Sequence, residues 1–333
     1  MTVDRPIAIA GAGSIGCFVG GLLAAAGRDV ALLARPRIIE EIEANGLRLT
    51  GFDGLDRKVA ASRLHLSDDP AILNGAGVVL VTVKSVDSAD IADVIAEHAP
   101  SGAIIVSLQN GVGNTALLRE RLRGRCVLGG MVPFNVVAAG RGRFHRATSG
   151  DIVIEQGDTA IGERLSVPGL KLRTTSDIAG VQWGKLLVNL NNALNALSGL
   201  TLQKQLAQRP WRRLLADQMA EGLAALKAER IRPVSPTPIP SHLMPHLLRL
   251  PDPIFNRLLG RTMKIDPEAR SSMSEDLQRA RHTEIDYLQG VIAEIAERHG
   301  LSAPLSCRVV ALIKRAEAEG KGSLGLVPDQ IRP

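Results

Sequence analysis

Aromatic side chains are rare in this sequence: five Phe, two Trp and one Tyr in 333 residues. So sparse a set argues against stacking platforms for single-stranded nucleic acid. Cysteine is scarce as well. Cys17, Cys126 and Cys307 are odd in number and far apart, which indicates neither a disulfide framework nor a metal cluster. No apolar run is long and clean enough to span a bilayer. Met1 to Pro6 leads straight into an apolar segment, without the pattern of a secretory signal. Positive charge is in excess, at a formal +6, yet Lys and Arg are scattered rather than clustered. That distribution fits a solvated basic surface with room for one phosphate-binding site. The expectation is a soluble, cytoplasmic protein that handles a small molecule rather than nucleic acid or membrane. The oligomeric state stays open, a homodimer included.

The chain is long for one domain, and 45% hydrophobic residues supply a substantial core. Two domains are expected, residues 1–176 and 177–333. The first is organised around Gly11-Ala12-Gly13-Ser14-Ile15-Gly16. Before it, Ile7-Ala8-Ile9-Ala10 reads as a buried strand. After it, Cys17 to Ala26 is apolar, rich in small residues and stopped by Gly27. Strand, glycine turn and helix form the context in which G-x-G-x-x-G signifies dinucleotide binding. The glycines permit a tight turn and close approach to a pyrophosphate, and the amides of the helix start face the phosphates. Gly11, Gly13, Ser14, Ile15 and Gly16 are therefore cofactor-binding candidates; the bland alternative is an ordinary glycine-rich turn.

A second strand, Asp29 to Ala34, ends at Arg35. An acid near this position would accept hydrogen bonds from the ribose of NAD, whereas arginine suits a 2′-phosphate by charge and by its planar fork of donors. The cofactor expected is NADP(H), the alternative for Arg35 being a plain surface arginine. A helix around Ile38 to Asn45 and a loop or extra strand pair up to Leu66 follow. Val78 to Val83 and Ala103 to Ser107 are continuous β-branched runs of the kind found in parallel strands covered on both faces. They end at Lys84 and at Gln109-Asn110-Gly111, which places Lys84 and Asn110 on the carboxyl edge where such sheets bind ligands. A solvated strand-end charge and a simple Asn-Gly turn are the competing readings. Cys126 to Glu155 reads as antiparallel strands completing the sheet. Thr174 to Asp177 marks a helix start and the domain boundary.

The second half is helical by pattern. In Val181 to Ser198, Lys185 is the only charge between Asp177 and Lys204, and a helix with no charged face is normally buried. Leu186, Leu190, Leu194 and Leu197 make one stripe; Lys185, Asn189 and Asn192 share another face. Buried amides and a buried ammonium need partners, which makes that face either a helix interface glued by asparagines or a polar slot with one cation. Pro210 starts a second long helix to about Glu229. Arg232 to Pro253 is proline-rich, an ordered stiff connection, a cover or a surface loop. In Ser271 to Ile295, Ser272-Met-Ser-Glu275 fits a capping box, and Asp276 fits a first-turn acid favoured by the helix dipole. Glu284 falls on the apolar stripe of Leu277, Leu288, Val291 and Ile295. A carboxylate there calls for a positive or hydrogen-bonding partner, Lys185 or an arginine such as Arg281.

Gly11–Gly16, Gln109-Asn110-Gly111, Trp183-Gly-Lys185-Leu-Leu-Val-Asn189, Ser271-Ser-Met and Arg281-His-Thr-Glu-Ile-Asp-Tyr287 together resemble the ketopantoate reductase (2-dehydropantoate 2-reductase) family over essentially the whole chain. The resemblance implies an α/β N-terminal Rossmann domain with a mostly parallel, doubly wound sheet, an all-α C-terminal domain, and a substrate cleft between them. It implies NADPH-dependent reduction of a 2-oxo acid, ketopantoate to pantoate, on the route to pantothenate and coenzyme A. By matching position, Lys185 resembles the general acid and Glu284 the carboxylate holding substrate and lysine. Asn110, Asn189 and Ser272 resemble substrate-positioning groups, Arg35 the 2′-phosphate contact and Lys84 a cofactor-side lysine. The family's second asparagine, eight residues after the lysine, is Ala193 here, with Asn192 as its one-residue-shifted substitute. A paralogue acting on another 2-oxo acid and a non-catalytic NADP(H) sensor are the alternatives; a sensor has no need of Lys185 and Glu284.

Overall fold

The structure is a computed structural model that describes residues 5–157, 159–259 and 266–333. Two compact units make up the chain, Met1–Ile178 and Ala179–Pro333. In the first, β1 (Ile7–Ala10) feeds α1 (Ser14–Ala25) and β2 (Val30–Leu33), followed by α2 (Pro36–Asn45). A hairpin of β3 (Leu47–Gly51) and β4 (Asp56–Val59) precedes β5 (His65–Ser67). The alternation then resumes with β6 (Val78–Val81), α3 (Ser88–His98), β7 (Ile104–Ser107), α4 (Asn114–Arg121) and β8 (Val127–Met131). Strands β9 (Val136–Ala138), β10 (Arg143–Arg146) and β11 (Ile152–Glu155), helix α5 (Thr159–Leu165) and β12 (Leu172–Thr175) complete the unit.

The main sheet has the order β12-β11-β8-β7-β6-β1-β2-β5. All its pairings from β8 to β5 are parallel; β11 pairs antiparallel with β8, and β12 pairs parallel with β11. Period-two alternation sorts its residues into two cores. Ile7, Ile9, Val78 and Leu80 pack with Phe18 and Leu22 of α1 on one face. Ala8, Ala10, Val79 and Val81 pack with Ile91, Ile95 and Leu118 of α3 and α4 on the other. That is the doubly wound arrangement, and it explains why these strands are apolar throughout.

The stretch 126–155 departs from expectation. Instead of one antiparallel extension, β8 continues the parallel ladder, and β9 and β10 leave for a second sheet, β4-β3-β10-β9, with β10 parallel to β3. The reason lies in α1. A side chain at Gly20 would strike Leu32 and Ile9 of the main sheet, and one at Gly21 would strike Leu47 and Leu49 of the small sheet. The helix is pressed between two sheets, and its small residues allow both to approach. Arg146 of β10 braces the joint, its guanidinium 5.8 Å from the Phe18 ring and 5.6 Å from that of Phe134, with bonds to Asp53 at 2.6 Å and the Gly169 carbonyl at 3.0 Å. Thr174 and Thr175, read as a helix start, belong to β12; the helix begins at Ile178.

The second unit is helical throughout its described residues: α6 (Ile178–Asn189), α7 (Asn191–Ser198), α8 (Leu202–Leu206), α9 (Arg209–Ala228), α10 (Met244–Leu248), α11 (Asp252–Leu259), α12 (Ser272–Gln278), α13 (Gln289–Arg298), α14 (Pro304–Glu319) and α15 (Pro328–Ile331). The stretch 181–198 is thus two helices meeting at Leu190. The proline-rich segment is tied down at both ends. The Val234 amide bonds the Gly180 carbonyl, and a Cβ at Gly184 would collide with the Val234 carbonyl, so backbone lies directly on α6. At the other end the wholly buried Arg212 of α9 donates to the carbonyls of Leu206, Ala207, Leu248 and Leu250 and to Asp252, and stacks 4.0 Å over the Phe255 ring.

Candidate active site

In the N-terminal unit the candidate cofactor residues gather where the order of the sheet reverses, with β2 on one side of β1 and β6 on the other. Such a switch point is where parallel sheets bind ligands. Gly11 leaves β1 at φ +91°, and a side chain there would enter Val83. Only glycine meets both demands. Thr82 Oγ1 donates to the Gly11 carbonyl at 2.7 Å, joining the loops after β1 and β6. Gly13 caps α1 without a side-chain bond, and the first turn holds no acid. Gly13 is exposed, with Ser14 and Ile15 partly so, while Gly16 packs on Thr82 and Ile9. The amides of that turn have no intrahelical acceptor, which makes the donor set right for a pyrophosphate. Cys17, next in the helix, is buried and its thiol is pushed up to about 12 by desolvation, so it is inert.

Arg35 sits at the end of β2 as the N-cap of α2, its carbonyl accepting from Ile38 and its side chain exposed. No carboxylate among the described residues pairs with it. Arg37, two residues on, reaches Glu41 at 3.5 Å. Lys84 and Asn110 end the neighbouring strands β6 and β7, both partly accessible. A buried polar network that sequence reasoning missed holds them in place. Gln109 Nε2 donates to Ser88 Oγ at 2.7 Å, Ser88 Oγ to Asn114 Oδ1 at 2.9 Å, and Asn114 Nδ2 to Ser85 Oγ at 3.0 Å and the Asn110 carbonyl at 2.6 Å. Its signal was the cluster of Ser, Gln and Asn immediately after two apolar strands.

In the helical unit, Gln182, Lys185, Asn189 and Asn192 are partly accessible at spacings of three and four, while Leu186, Leu190, Leu194 and Leu197 are fully buried. Ala193 is buried completely; Asn192, two turns from Lys185, lies on the accessible side. The other two asparagines are structural. Asn191 and Asn195 bond Gln205, and Asn195 Oδ1 also accepts the Ser271 amide at 2.9 Å. The asparagine-mediated helix contacts thus fall on Asn191 and Asn195, a different face from that of Lys185, Asn189 and Asn192.

Residues 271–295 are not one continuous helix. α12 stops at Gln278, Ala280 takes φ +50°, and a single 3₁₀ turn at Ile285–Tyr287 precedes α13. Glu284 therefore does not ride a helical stripe; it is the partly buried residue that begins the 3₁₀ turn. The capping role expected of Ser272 belongs to Ser271, whose hydroxyl accepts the Ser274 amide at 3.1 Å and donates to the Asn192 carbonyl at 2.8 Å. Ser272 is the first helical residue, and the first-turn acid is Glu275 rather than Asp276. Burial pushes the Glu275 carboxyl up to about 7.

Lys185 carries the strongest electrostatic signal. Desolvation pushes its ammonium down to about 8, and the Glu284 carboxylate opposes that shift. The two charges are thus within electrostatic reach of one another, and Arg281, the alternative partner, is exposed. Among the described residues no group of three or more His, Cys, Asp or Glu is arranged to hold a metal ion. No helix of these residues is long and apolar enough to cross a membrane.

Comparison with known proteins matches these parts in the same order. The family model described as "Ketopantoate reductase PanE/ApbA" fits residues 7–159, and its C-terminal counterpart fits residues 177–317. The chain belongs to the ketopantoate reductase family. The 2-dehydropantoate 2-reductase of Pyrococcus horikoshii is 30% identical over 95% of this chain and 99% of its own length. That of Halobacterium salinarum is 27% identical over 94% and 99%. Among solved structures, a PanE/ApbA family ketopantoate reductase from Ralstonia eutropha JMP134 superposes with TM-score 0.80 at 30% identity, covering 95% of this chain and 99% of that one. A D-mandelate dehydrogenase solved with NADH and anilino(oxo)acetate shares the fold at TM-score 0.76 and 20% identity, over 95% and 99% of the two chains.

Proposed function

We propose that this ketopantoate reductase uses NADPH to reduce 2-dehydropantoate to pantoate, with Lys185 as the general acid. The observation that carries the reading is a single cation on an otherwise uncharged helix face, its pKa brought down to about 8 beside the Glu284 carboxylate. An acid with a pKa close to the working pH is protonated often enough to serve and yields its proton readily. The glycine loop and the start of α1 would hold the pyrophosphate, Arg35 the 2′-phosphate, and Lys84 and Asn110 the cofactor side of the site. Bound there, NADPH supplies the hydride for the carbonyl carbon of the 2-oxo acid.

The rest of the chemistry belongs to the chain. Lys185 Nζ hydrogen-bonds the ketone oxygen, stabilises the negative charge that develops on it, and passes it a proton to give the hydroxyl. Glu284 keeps the ammonium oriented and accepts from a substrate hydroxyl. Asn189, Asn192 and Ser272 donate to the carboxylate and hydroxyl. Such positioning turns an encounter into a fixed geometry for attack.

Purified protein assayed for NADPH oxidation across a panel of 2-oxo acids tests the reading. Ketopantoate is expected to give the highest kcat/KM. Another acid ahead by tenfold or more would favour the second reading, a paralogue with the same chemistry. The D-mandelate dehydrogenase that shares this fold, solved with NADH and anilino(oxo)acetate, is the observation behind that second reading. No turnover with any 2-oxo acid would favour a sensor.

A further inference from the structure

The core of the helical unit contains two glutamines whose hydrogen bonding is incomplete. Gln218 of α9 and Gln289 of α13 both have no exposed surface. Neither side-chain atom of Gln218, nor Oε1 of Gln289, has a hydrogen-bond partner among the described residues. Buried amides in native proteins are almost always satisfied, by protein or by ordered water, because an orphaned one carries its full desolvation cost. Two orphaned amides in one core therefore call for a common explanation.

Helix register brings them together. Glu229, just past α9, bonds Arg298 and His299 at the end of α13. One to two turns earlier, a Cβ on Gly222 would meet Ile292 of α13 together with Leu187 and Leu190. Glu229 with His299 and Gly222 with Ile292 share the same sequence offset, so the two helices run parallel and side by side. Continuing one turn towards their N-termini puts Gln218, on the Gly222 face, level with Leu288 and Gln289. Gln289 Nε2 meanwhile donates to the Leu190 carbonyl at 2.8 Å. Leu190 is the residue that interrupts α6 and α7, and a side chain competing for a helix carbonyl is an established cause of such breaks.

We infer that Gln218 and Gln289 form an internal hydration site, in which bound water accepts from Gln218 Nε2 and donates to Gln289 Oε1, fastening the α6–α7 junction to α9 and α13. Gln218 Nε2 and Oε1 and Gln289 Oε1 are buried and without partners among the described residues, and they supply the donor and acceptors that a buried water needs. The junction separates Lys185 and Asn189 from Asn192, so the two glutamines act as positioning residues for the site. This last step rests on the catalytic reading above; the hydration site itself does not.

The test uses Gln218→Met, Gln289→Met and the double variant, methionine keeping the volume while removing both amide atoms. Each single variant is expected to lower Tm by a few degrees, and the double variant by no more than the worse single one, because the two share one bridge. A high-resolution crystal structure of the unaltered protein is expected to show ordered water within hydrogen-bonding distance of both side chains. Strictly additive Tm losses, or direct contact between the two amides with no water, would overturn the site. For positioning, Gln289→Met is expected to raise KM for the 2-oxo acid several-fold with KM for NADPH unchanged. An unchanged KM for the acid alongside coupled Tm losses would overturn positioning alone. If the unaltered protein turns over no 2-oxo acid, the catalytic reading fails while the Tm cycle still decides the water.

Discussion

The Lys185 ammonium, on a helix with no other charge, and the Glu284 carboxylate, at the entry to a 3₁₀ turn, lie within electrostatic reach of each other in the helical unit. Burial dominates the lysine's pKa, and the glutamate offsets only part of it. The sign has consequences for both activity and stability. As an acid, Lys185 must be protonated, so kcat/KM with ketopantoate should be flat below its pKa of about 8 and fall tenfold per pH unit above it. Between that value and the ordinary 10.5, the unfolded chain binds a proton that the folded one has released, so stability rises with pH through this window. Lys185→Met removes the penalty and should raise Tm by a few degrees at pH 7 while lowering kcat about 10²–10⁴-fold. A pH profile flat to pH 10 would remove Lys185 from the acid role.

Groups that work as a unit lose their effect together. Glu284→Gln should lower kcat and raise KM for the oxo acid if, as proposed, the carboxylate both orients the lysine and holds substrate. Combined with Lys185→Ala it should add little, since the first loss already removes what the second supports. Steady-state kinetics of the two single variants and the double variant read this directly. Multiplicative effects would mean that the two side chains act separately.

The exposed Arg35 guanidinium, on the ligand edge of the sheet and unpaired among the described residues, gives the cofactor prediction. A charge-assisted bond to a phosphate contributes about 1.5–3 kcal/mol, or roughly 10- to 100-fold in affinity. Arg35→Ala should therefore raise KM for NADPH by about that factor and leave KM for NADH nearly unchanged. Equal losses with both cofactors would make Arg35 structural, as the cap of α2.

Much of this was legible in the sequence because the signals were local. Gly11 to Gly16 between a strand and a small-residue helix specified the turn, and Val78 to Val81 needed both faces covered whatever followed. What stayed hidden depended on partners distant in the chain. That β9 and β10 leave the main sheet is decided by β3 and by the glycine surface of α1, not by the strands' own residues. The apolar spacing from Leu277 to Ile295 suggested one stripe, yet the left-handed Ala280 ends the helix, and Glu284 is placed by the turn that follows. Gln218 and Gln289 were invisible for the same reason: a buried glutamine carries no local mark.

Adjacent serines offer the sharpest separation of structure from function. Ser271 and Ser272 are chemically identical, and the sequence pattern assigned the cap to the wrong one. Ser271 caps α12, and it donates its hydroxyl to the Asn192 carbonyl and its amide to Asn195 Oδ1. Removing a serine cap costs about 0.5–2 kcal/mol, so Ser271→Ala should lower Tm by roughly 1–8 °C. With the cap accounted for by Ser271, the partly exposed Ser272 can take the substrate contact proposed for it. Ser272→Ala should leave Tm within about a degree of the unaltered protein, as most changes of partly exposed residues do. It should raise KM for the oxo acid about 2- to 10-fold, the worth of one neutral hydrogen bond, without changing KM for NADPH. The reverse pattern, a lower Tm for Ser272→Ala with unchanged kinetics, would take Ser272 out of the substrate site and leave Asn189 and Asn192 as its remaining anchors on α6 and α7.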